Sequence, residues 1–250
     1  MANVYFPIYP EQSTPTQLPG ASSAVQAYPL GTKLEARDGR IWRYCKAGGT
    51  QLAAGLMGQS PAIDAKLERE AQTAHTWNLG DTVGTVLVTT GSGLTPANLA
   101  GGYMVVEDGT GEGQYYKIDT AAWATGDTVL TVTLDEPIRV ATVNDSSLVS
   151  LYPNPWLGII VAPTTLTGYC VGVATGIITA NHYYWAQRCG PCAMVVDGGE
   201  TVVVGEAAGY PATIATPGAV GISAVTDPIW GEFMGVAAAG ETALVYLRME

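Results

Sequence analysis

Between Trp77 and Leu151 apolar and polar residues alternate with a period of two. The runs TVGTVLVTT, YMVVEDG, GQYYKID, DTVLTVTLD and SLVSLYP are separated by Gly, Asp and Asn turns. That period puts successive side chains on opposite faces of a strand, whereas a helix would repeat its apolar face every three to four residues. Val and Thr dominate, as suits half-buried pleated surfaces. The pattern predicts an antiparallel β domain over residues 77–153. A second series follows over 154–250, with runs GIIVAPT, YCVGVATGII, YYWAQRC, CAMVVDG, TVVVGEA, FMGVAAA and TALVYLRM. Short strands at near-regular spacing predict a small barrel or sandwich. No internal repeat stands out, because both stretches are simply rich in Val, Thr and Gly.

The first 76 residues read differently. Residues 1–32 hold Pro7, Pro10, Pro15, Pro19 and Pro29 and a single charge, Glu11. Neither a strand nor a helix period survives that proline density, so the segment reads as an extended arm. Fully stretched, thirty residues reach roughly 100 Å. The arm's apolar residues gather at its tip: Val4, Tyr5, Phe6, Ile8 and Tyr9. Residues 33–76 read as a β-hairpin plus a helix. TKLEAR and IWRYCKA flank Asp38-Gly39, a strong hairpin turn signal. Ser60-Pro61 resembles an N-cap followed by proline at the first helical position, and Ile63 and Leu67 stand four apart, so a helix of about three turns is predicted over 61–74.

The chain has 22 acidic and 11 basic residues, a net charge of −11. An acidic protein is a poor match for nucleic acid or for an anionic membrane, both of which attract positive charge. Charged residues are only 13% of the chain, about half the usual share, while 47% are apolar, which leaves a charge-poor surface over real cores. Five of the basic residues cluster in the hairpin: Lys33, Arg37, Arg40, Arg43 and Lys46. They read either as a solvated face balanced by Glu35 and Asp38 or as a patch for an acidic partner surface. The N-terminus lacks the basic and apolar regions of a secretory signal. The longest uncharged run, Asn154–Gln187, is broken by prolines and glycines and reads as strands and turns rather than a membrane span.

No catalytic constellation emerges. Cys189-Gly190-Pro191-Cys192 matches a thioredoxin-type redox motif, but that motif needs a helix behind it, and AMVVDGG reads as strand and turn. Gly-Pro here reads as an incidental turn between two strands. His182 with Cys189 and Cys192 offers three metal ligands where structural zinc wants four. Asp108-Gly109-Thr110-Gly111-Glu112-Gly113 lacks the Gly-Lys-Ser/Thr end of a phosphate loop and reads as a hairpin connection. His75 and His182 leave little room for Ser-His-Asp chemistry, and Asp135-Glu136 reads as a strand end before Pro137. The expectation is no enzyme, no metal and no cofactor.

Several segments carry a resemblance: LGTKLEARDGRIWRYCKAGGTQLAAG, GGYMVVEDGTGEGQYYKI, the run from NPWLGIIVAPTTLTGYC through ANHYYWAQRCGPCAMVVDGGETVVVGEAA, and the closing GETALVYLRM. Together they resemble structural proteins of tailed bacteriophages, most of all head decoration (cement) proteins of marine and freshwater myovirus-like phages. The resemblance covers most of residues 30–250. It implies a virion protein, made in the host cytoplasm, that binds the major capsid protein on the outer capsid surface in many copies and stabilises capsomer contacts through its arm. It also implies a strand, a glycine turn and a second strand over 181–206, and it supplies no catalytic residues. On this reading Val4, Tyr5, Phe6, Ile8, Tyr9, Arg37, Arg40 and Arg43 are the capsid-binding candidates. A homotrimer or dimer is expected, since closed symmetry suits a symmetric lattice. A tail- or neck-associated protein and a carbohydrate-binding β module remain the alternatives.

Overall fold

A computed structural model describes residues 17–72, 76–88, 96–123, 128–143 and 146–250. Among these residues the fold is all-β with one short α-helix. The strands are β1 (Lys33–Glu35), β2 (Ile41–Ala47), β3 (Met57–Gln59), β4 (Glu70–Ala71), β5 (Val83–Leu87), β6 (Tyr103–Asp108), β7 (Tyr115–Ala122) and β8 (Val129–Leu134). They continue with β9 (Leu148–Tyr152), β10 (Leu157–Val161), β11 (Cys170–Ala174), β12 (Tyr183–Val195), β13 (Ala207–Gly209), β14 (Gly221–Ile222), β15 (Ile229–Phe233) and β16 (Thr242–Arg248). The chain forms two compact units, one from the chain up to Pro61 together with Trp156–Glu250, the other from Ala62–Pro155. The boundaries expected at 33–76, 77–153 and 154–250 give way to an insertion, because β2 pairs with β12 across the whole of the second unit.

In the inserted unit six strands form an antiparallel sheet in the order β4-β9-β6-β7-β8-β5. The period-two pattern is realised directly. Met104, Val106, Tyr116, Ile118, Leu130, Val132, Val149 and Leu151 all point into one core around Trp77 and Leu99. The β6–β7 connection carries Asp108–Gly113, the hairpin loop expected there. The helix expected over 61–74 does not form among the described residues. Asp64 caps a single 3₁₀ turn, Ala65–Leu67, by accepting the Lys66 N–H. Arg69 then turns left-handed at φ 54, its N–H donating to Ser150 Oγ at 2.8 Å, and β4 pairs with β9. The helical signal was the Ser60-Pro61 start and one apolar pair four apart. Only Leu67 reaches the core while Ile63 stays exposed, so strand pairing overrides the propensity. Among the described residues the one α-helix is the single turn Pro96–Leu99.

The other unit is built from two barrels of the same design. In the first, β2 pairs β10 in parallel, β10 pairs β3, β3 pairs β11, β11 pairs β12, and the first half of β12 returns to β2, all antiparallel after the first step. In the second, the far half of β12 pairs β16, β16 pairs β15, β15 pairs β13 and β13 pairs β14. A parallel bridge, Val196 to Val220, closes it where β2 and β10 close the first. The registers correspond: Cys170/Gln59, Gly172/Gly58 and Val173/Met57 are repeated as Ile229/Gly209, Gly231/Ala208 and Glu232/Ala207. So do the turns. The Gly55 N–H donates to Ala174 O and the Gly205 N–H to Phe233 O, both at 2.8 Å, and the bridges Leu52–Ile178 and Val202–Ala237 match. The absence of a repeat is therefore corrected. Its sequence trace is Gly48-Gly49-Thr50-Gln51-Leu52-Ala53-Ala54-Gly55 against Gly198-Gly199-Glu200-Thr201-Val202-Val203-Val204-Gly205, with Pro61 answering Pro211. The inserted unit occupies the connection between β3 and β10 of the first barrel. In the second barrel the same connection is only residues 210–220.

Cys45, Leu52, Ile159, Val171, Ile178, Tyr184 and Ala186 fill the first barrel. Met194, Val196, Val202, Trp230, Phe233, Val245 and Leu247 fill the second, joined by Met57 and Val173. Gly172 and Gly231 hold equivalent places. A Cβ on them would lie 2.7 Å from Gln187 O and 1.9 Å from Tyr246 O, so the backbones meet only because both residues are glycine.

Candidate functional site

The arm is anchored from Gln17 onward. The Gln17 side chain donates to Tyr183 O at 2.6 Å and accepts from the Tyr44 hydroxyl at 2.8 Å, while its carbonyl accepts from Trp185 Nε1 at 2.8 Å. Ser23 bridges Tyr183, and the Ala27 N–H donates to the Tyr44 oxygen at 3.0 Å. The Tyr28 ring sits 5.3 Å from Tyr44 and 5.2 Å from Trp185. With Leu30, Leu34 and Ala36 this segment roofs the outer face of the first barrel, over Trp42, Tyr44 and Trp185. Burying three such rings contributes about 1.5–3 kcal/mol each before entropy is charged. The tip residues Val4, Tyr5, Phe6, Ile8 and Tyr9 lie outside the described residues, as does His75.

The hairpin cations do not form one patch. Lys33 pairs with Glu35 at 3.0 Å, and Arg40 pairs with Asp38 at 2.8 Å while stacking 5.1 Å over Trp42. Arg43 has the opposite parity on β2. It donates to Gly31 O at 3.0 Å, pairs with Glu250 and lies 5.8 Å over Trp156. Lys46 caps the Tyr183 ring at 5.1 Å. Arg37 alone is exposed with no ion pair among the described residues. Alternation along the strand separates cations that sequence order places together.

Glu250 belongs to a cluster that sequence reasoning missed. Arg188, 5% exposed at its side chain, donates to Glu250 at 2.7 Å, to Val171 O at 2.6 Å, to Met249 O at 2.8 Å, to Cys170 O at 3.1 Å and to the Tyr169 hydroxyl at 2.6 Å. Its guanidinium lies over the Trp156 and Tyr169 rings. Burial alone would raise the Glu250 carboxyl, but the hydrogen bonds and charges of Arg43 and Arg188 hold it below the usual carboxylate range. The only sequence signal was that Arg188 stands as the lone cation between residues 154 and 247.

The CGPC motif is not a turn. Cys189, Gly190, Pro191 and Cys192 sit inside β12, which runs unbroken from Tyr183 to Val195 and passes from one barrel to the other. The expected strand, glycine turn and strand over 181–206 is corrected accordingly. Pro191 lies opposite Tyr246, and Gly190 takes φ +82 with the Arg40 side chain packed against it, which a Cβ would meet at 2.8 Å. All four cysteines are free thiols. Burial pushes Cys192 up to about 12 and Cys170 up to about 11, the reverse of an activated thiol. His182 does not join the cysteines: among the described residues no three His, Cys, Asp or Glu gather as a metal site. Asp135 pairs with Lys117 at 2.9 Å and Glu136 with Arg139. In the inserted unit Tyr103 and Tyr115 form an exposed pair with ring centroids 6.4 Å apart.

No helix among the described residues is long and apolar enough to cross a membrane. No protein-family model matches the chain, and comparison with curated proteins and with solved structures returns no match.

Proposed function

We propose that this chain is a non-enzymatic structural protein that coats the outer surface of an icosahedral phage head in many copies, its arm crossing to a neighbouring position and tying capsomers together. The observation that carries the reading is the anchor at Gln17. An aromatic clamp on the first barrel grips the chain there, and the sixteen residues that precede it in sequence are rich in apolar side chains and hold a single charged side chain, Glu11. Linkage of this kind makes a second contact effectively intramolecular, so modest contacts add up on a repeating lattice. Attachment to the assembled shell alone stabilises it by mass action. The strand-embedded Cys189 and Cys192, the latter buried with its thiol pushed up, and the resemblance to decoration proteins support the same reading.

Counting copies per major capsid subunit by quantitative mass spectrometry of purified particles tests it. A ratio near one or a simple fraction such as one third is expected. A handful of copies moves the protein to the tail or neck, and absence refutes a virion role. Deleting residues 1–16 is expected to abolish particle retention while leaving the β fold intact. Deletion to residue 28 is uninformative, since it strips Gln17 and Tyr28 from the clamp. The exposed Tyr103–Tyr115 pair favours a second role in glycan contact. A glycan array with wild type and Tyr115→Ala decides that: binding lost in the variant supports it, and no binding by wild type removes it.

A further inference from the structure

The two barrels share a topology but not a covering. Their registers align Trp42/Gln187 with Pro191/Tyr246, Tyr44/Trp185 with Ala193/Leu244, and Lys46/Tyr183 with Val195/Thr242. These are the outward positions of both barrels. The alternate positions, Cys45, Tyr184 and Ala186 in one and Met194, Ala243 and Val245 in the other, face the cores. On the first barrel the outward set is roofed by residues 17–36, so Trp42, Tyr44, Trp185 and Gln187 are buried. On the second barrel no described residue plays that part. Leu244 is 43% exposed and Tyr246 37%, with Ala193 exposed beside them and Met234 at 43% on the neighbouring strand end. None of Pro191, Ala193, Val195, Thr242, Leu244 and Tyr246 is charged, and the Arg248–Glu232 ion pair bounds the set at Tyr246, with the Arg248 guanidinium 5.8 Å over that ring and Glu232 opposite it in register. This is a sheet face of the same construction as one that the molecule elsewhere covers with its own proline- and aromatic-bearing chain.

We propose that the outer face of the second barrel, Pro191–Val195 on β12 and Leu244–Tyr246 on β16, receives the tip of the arm, Val4–Tyr9, of a second copy of this chain. Three observations select that occupant. The duplicated face on the first barrel shows what such a face accepts: an extended N-terminal segment bearing Tyr and aliphatic side chains. The tip has that composition, Val4-Tyr5-Phe6-Pro7-Ile8-Tyr9, with no charged side chain, which suits the uncharged Ala193–Leu244 part of the face. The anchor at Gln17 leaves sixteen residues before it, which extended span roughly 55 Å, enough to leave one molecule and reach another. That the donor is a neighbouring copy rather than the same chain rests on the reading of the arm as a tie between positions on the shell. Each copy then gives an arm through one surface and accepts one through another. Such a heterologous contact closes into a ring, a trimer for example, or runs on as a chain of linked copies.

Two measurements test the proposal. A labelled peptide of residues 1–16 is titrated with the chain lacking those residues, followed by fluorescence anisotropy. Saturable binding is expected, weakened at least about tenfold by Leu244→Glu, an exposed substitution that leaves the fold intact by circular dichroism. Light scattering of the full chain over a concentration series is expected to show assemblies larger than one chain, absent both in the truncated chain and in full-length Leu244→Glu. Peptide binding that is absent, or indifferent to Leu244→Glu, overturns the site. Peptide binding to the truncated chain together with a strictly monomeric full chain means the arm folds back on its own barrel, which overturns the second copy as donor. Copy number on purified particles is independent of both, so a failure of the shell reading is scored separately.

Discussion

Replacing Arg188 by alanine should be among the most destabilising single changes on the first barrel. The guanidinium is nearly sealed from solvent and its polar contacts converge from two segments: Met249 and Glu250 on one side, and the Tyr169 hydroxyl with the Cys170 and Val171 carbonyls on the other. Breaking a buried ion pair by removing one partner costs about 3–5 kcal/mol, because the other charge and its companions stay buried without a counterpart. Glu250 keeps Arg43 as a second partner, which argues for the lower half of that range, while the lost stacking on Trp156 and Tyr169 adds about 0.5–1 kcal/mol back. A net loss of about 3.5–5 kcal/mol follows, or roughly 7–20 °C in Tm at the 2–4 °C per kcal/mol typical of chains this long. Urea unfolding followed by tryptophan fluorescence measures it, with Arg248→Ala as the control. Arg248 pairs with Glu232 at 2.7 Å, but both side chains are largely exposed, so its loss should cost about 0–1 kcal/mol. Equal midpoints for the two variants would refute the claim that burial and converging acceptors, rather than the ion pair as such, hold the chain end.

Other expectations concern the same barrels. Because the folded Glu250 carboxyl lies below its unfolded value, its contribution is present above about pH 4.3 and fades as pH falls through the folded value. The urea midpoints of wild type and Glu250→Gln should therefore differ at pH 7 and converge toward pH 3, and a gap that persists unchanged at pH 3 contradicts the linkage. Gly231→Ala should cost more than about 3 kcal/mol or prevent folding, since its Cβ would sit 1.9 Å from Tyr246 O, whereas Gly199→Ala, with nothing within 4 Å, should change stability by less than about 0.5 kcal/mol. With thiols driven up by burial, Cys45 and Cys192 should resist a disulfide reagent at pH 7.5 until the chain is unfolded, as read by peptide mass spectrometry. Rapid native labelling of Cys192 would reopen a redox reading.

The elements legible in advance were those whose signals are local. Period-two alternation in the inserted unit translated into strands with Met104, Val106, Tyr116 and Ile118 on one buried face, because side-chain alternation is a property of the strand itself. The Asp38-Gly39 hairpin followed for the same reason: a turn needs only its own residues to specify it. The expected helix over 61–74 failed because its apolar pattern was two residues deep, and the pairing of β4 with β9, seventy-odd residues away, was worth more.

Strand content and the Asp38-Gly39 turn were thus legible in the sequence alone. The tertiary structure decided everything that depends on which strand pairs with which. Only pairing reveals that residues 62–155 interrupt one barrel, and that β12 serves two barrels in succession through a Cys-Gly-Pro-Cys segment that local rules read as a turn. Only pairing separates Arg40 from Arg43 and brings Arg188, Glu250, Trp156 and Tyr169 into one buried cluster. Pairing also exposes the duplication. Register is conserved between the barrels while side chains diverge, because the backbone ladder constrains geometry at every position but composition only where a glycine or a core residue is required.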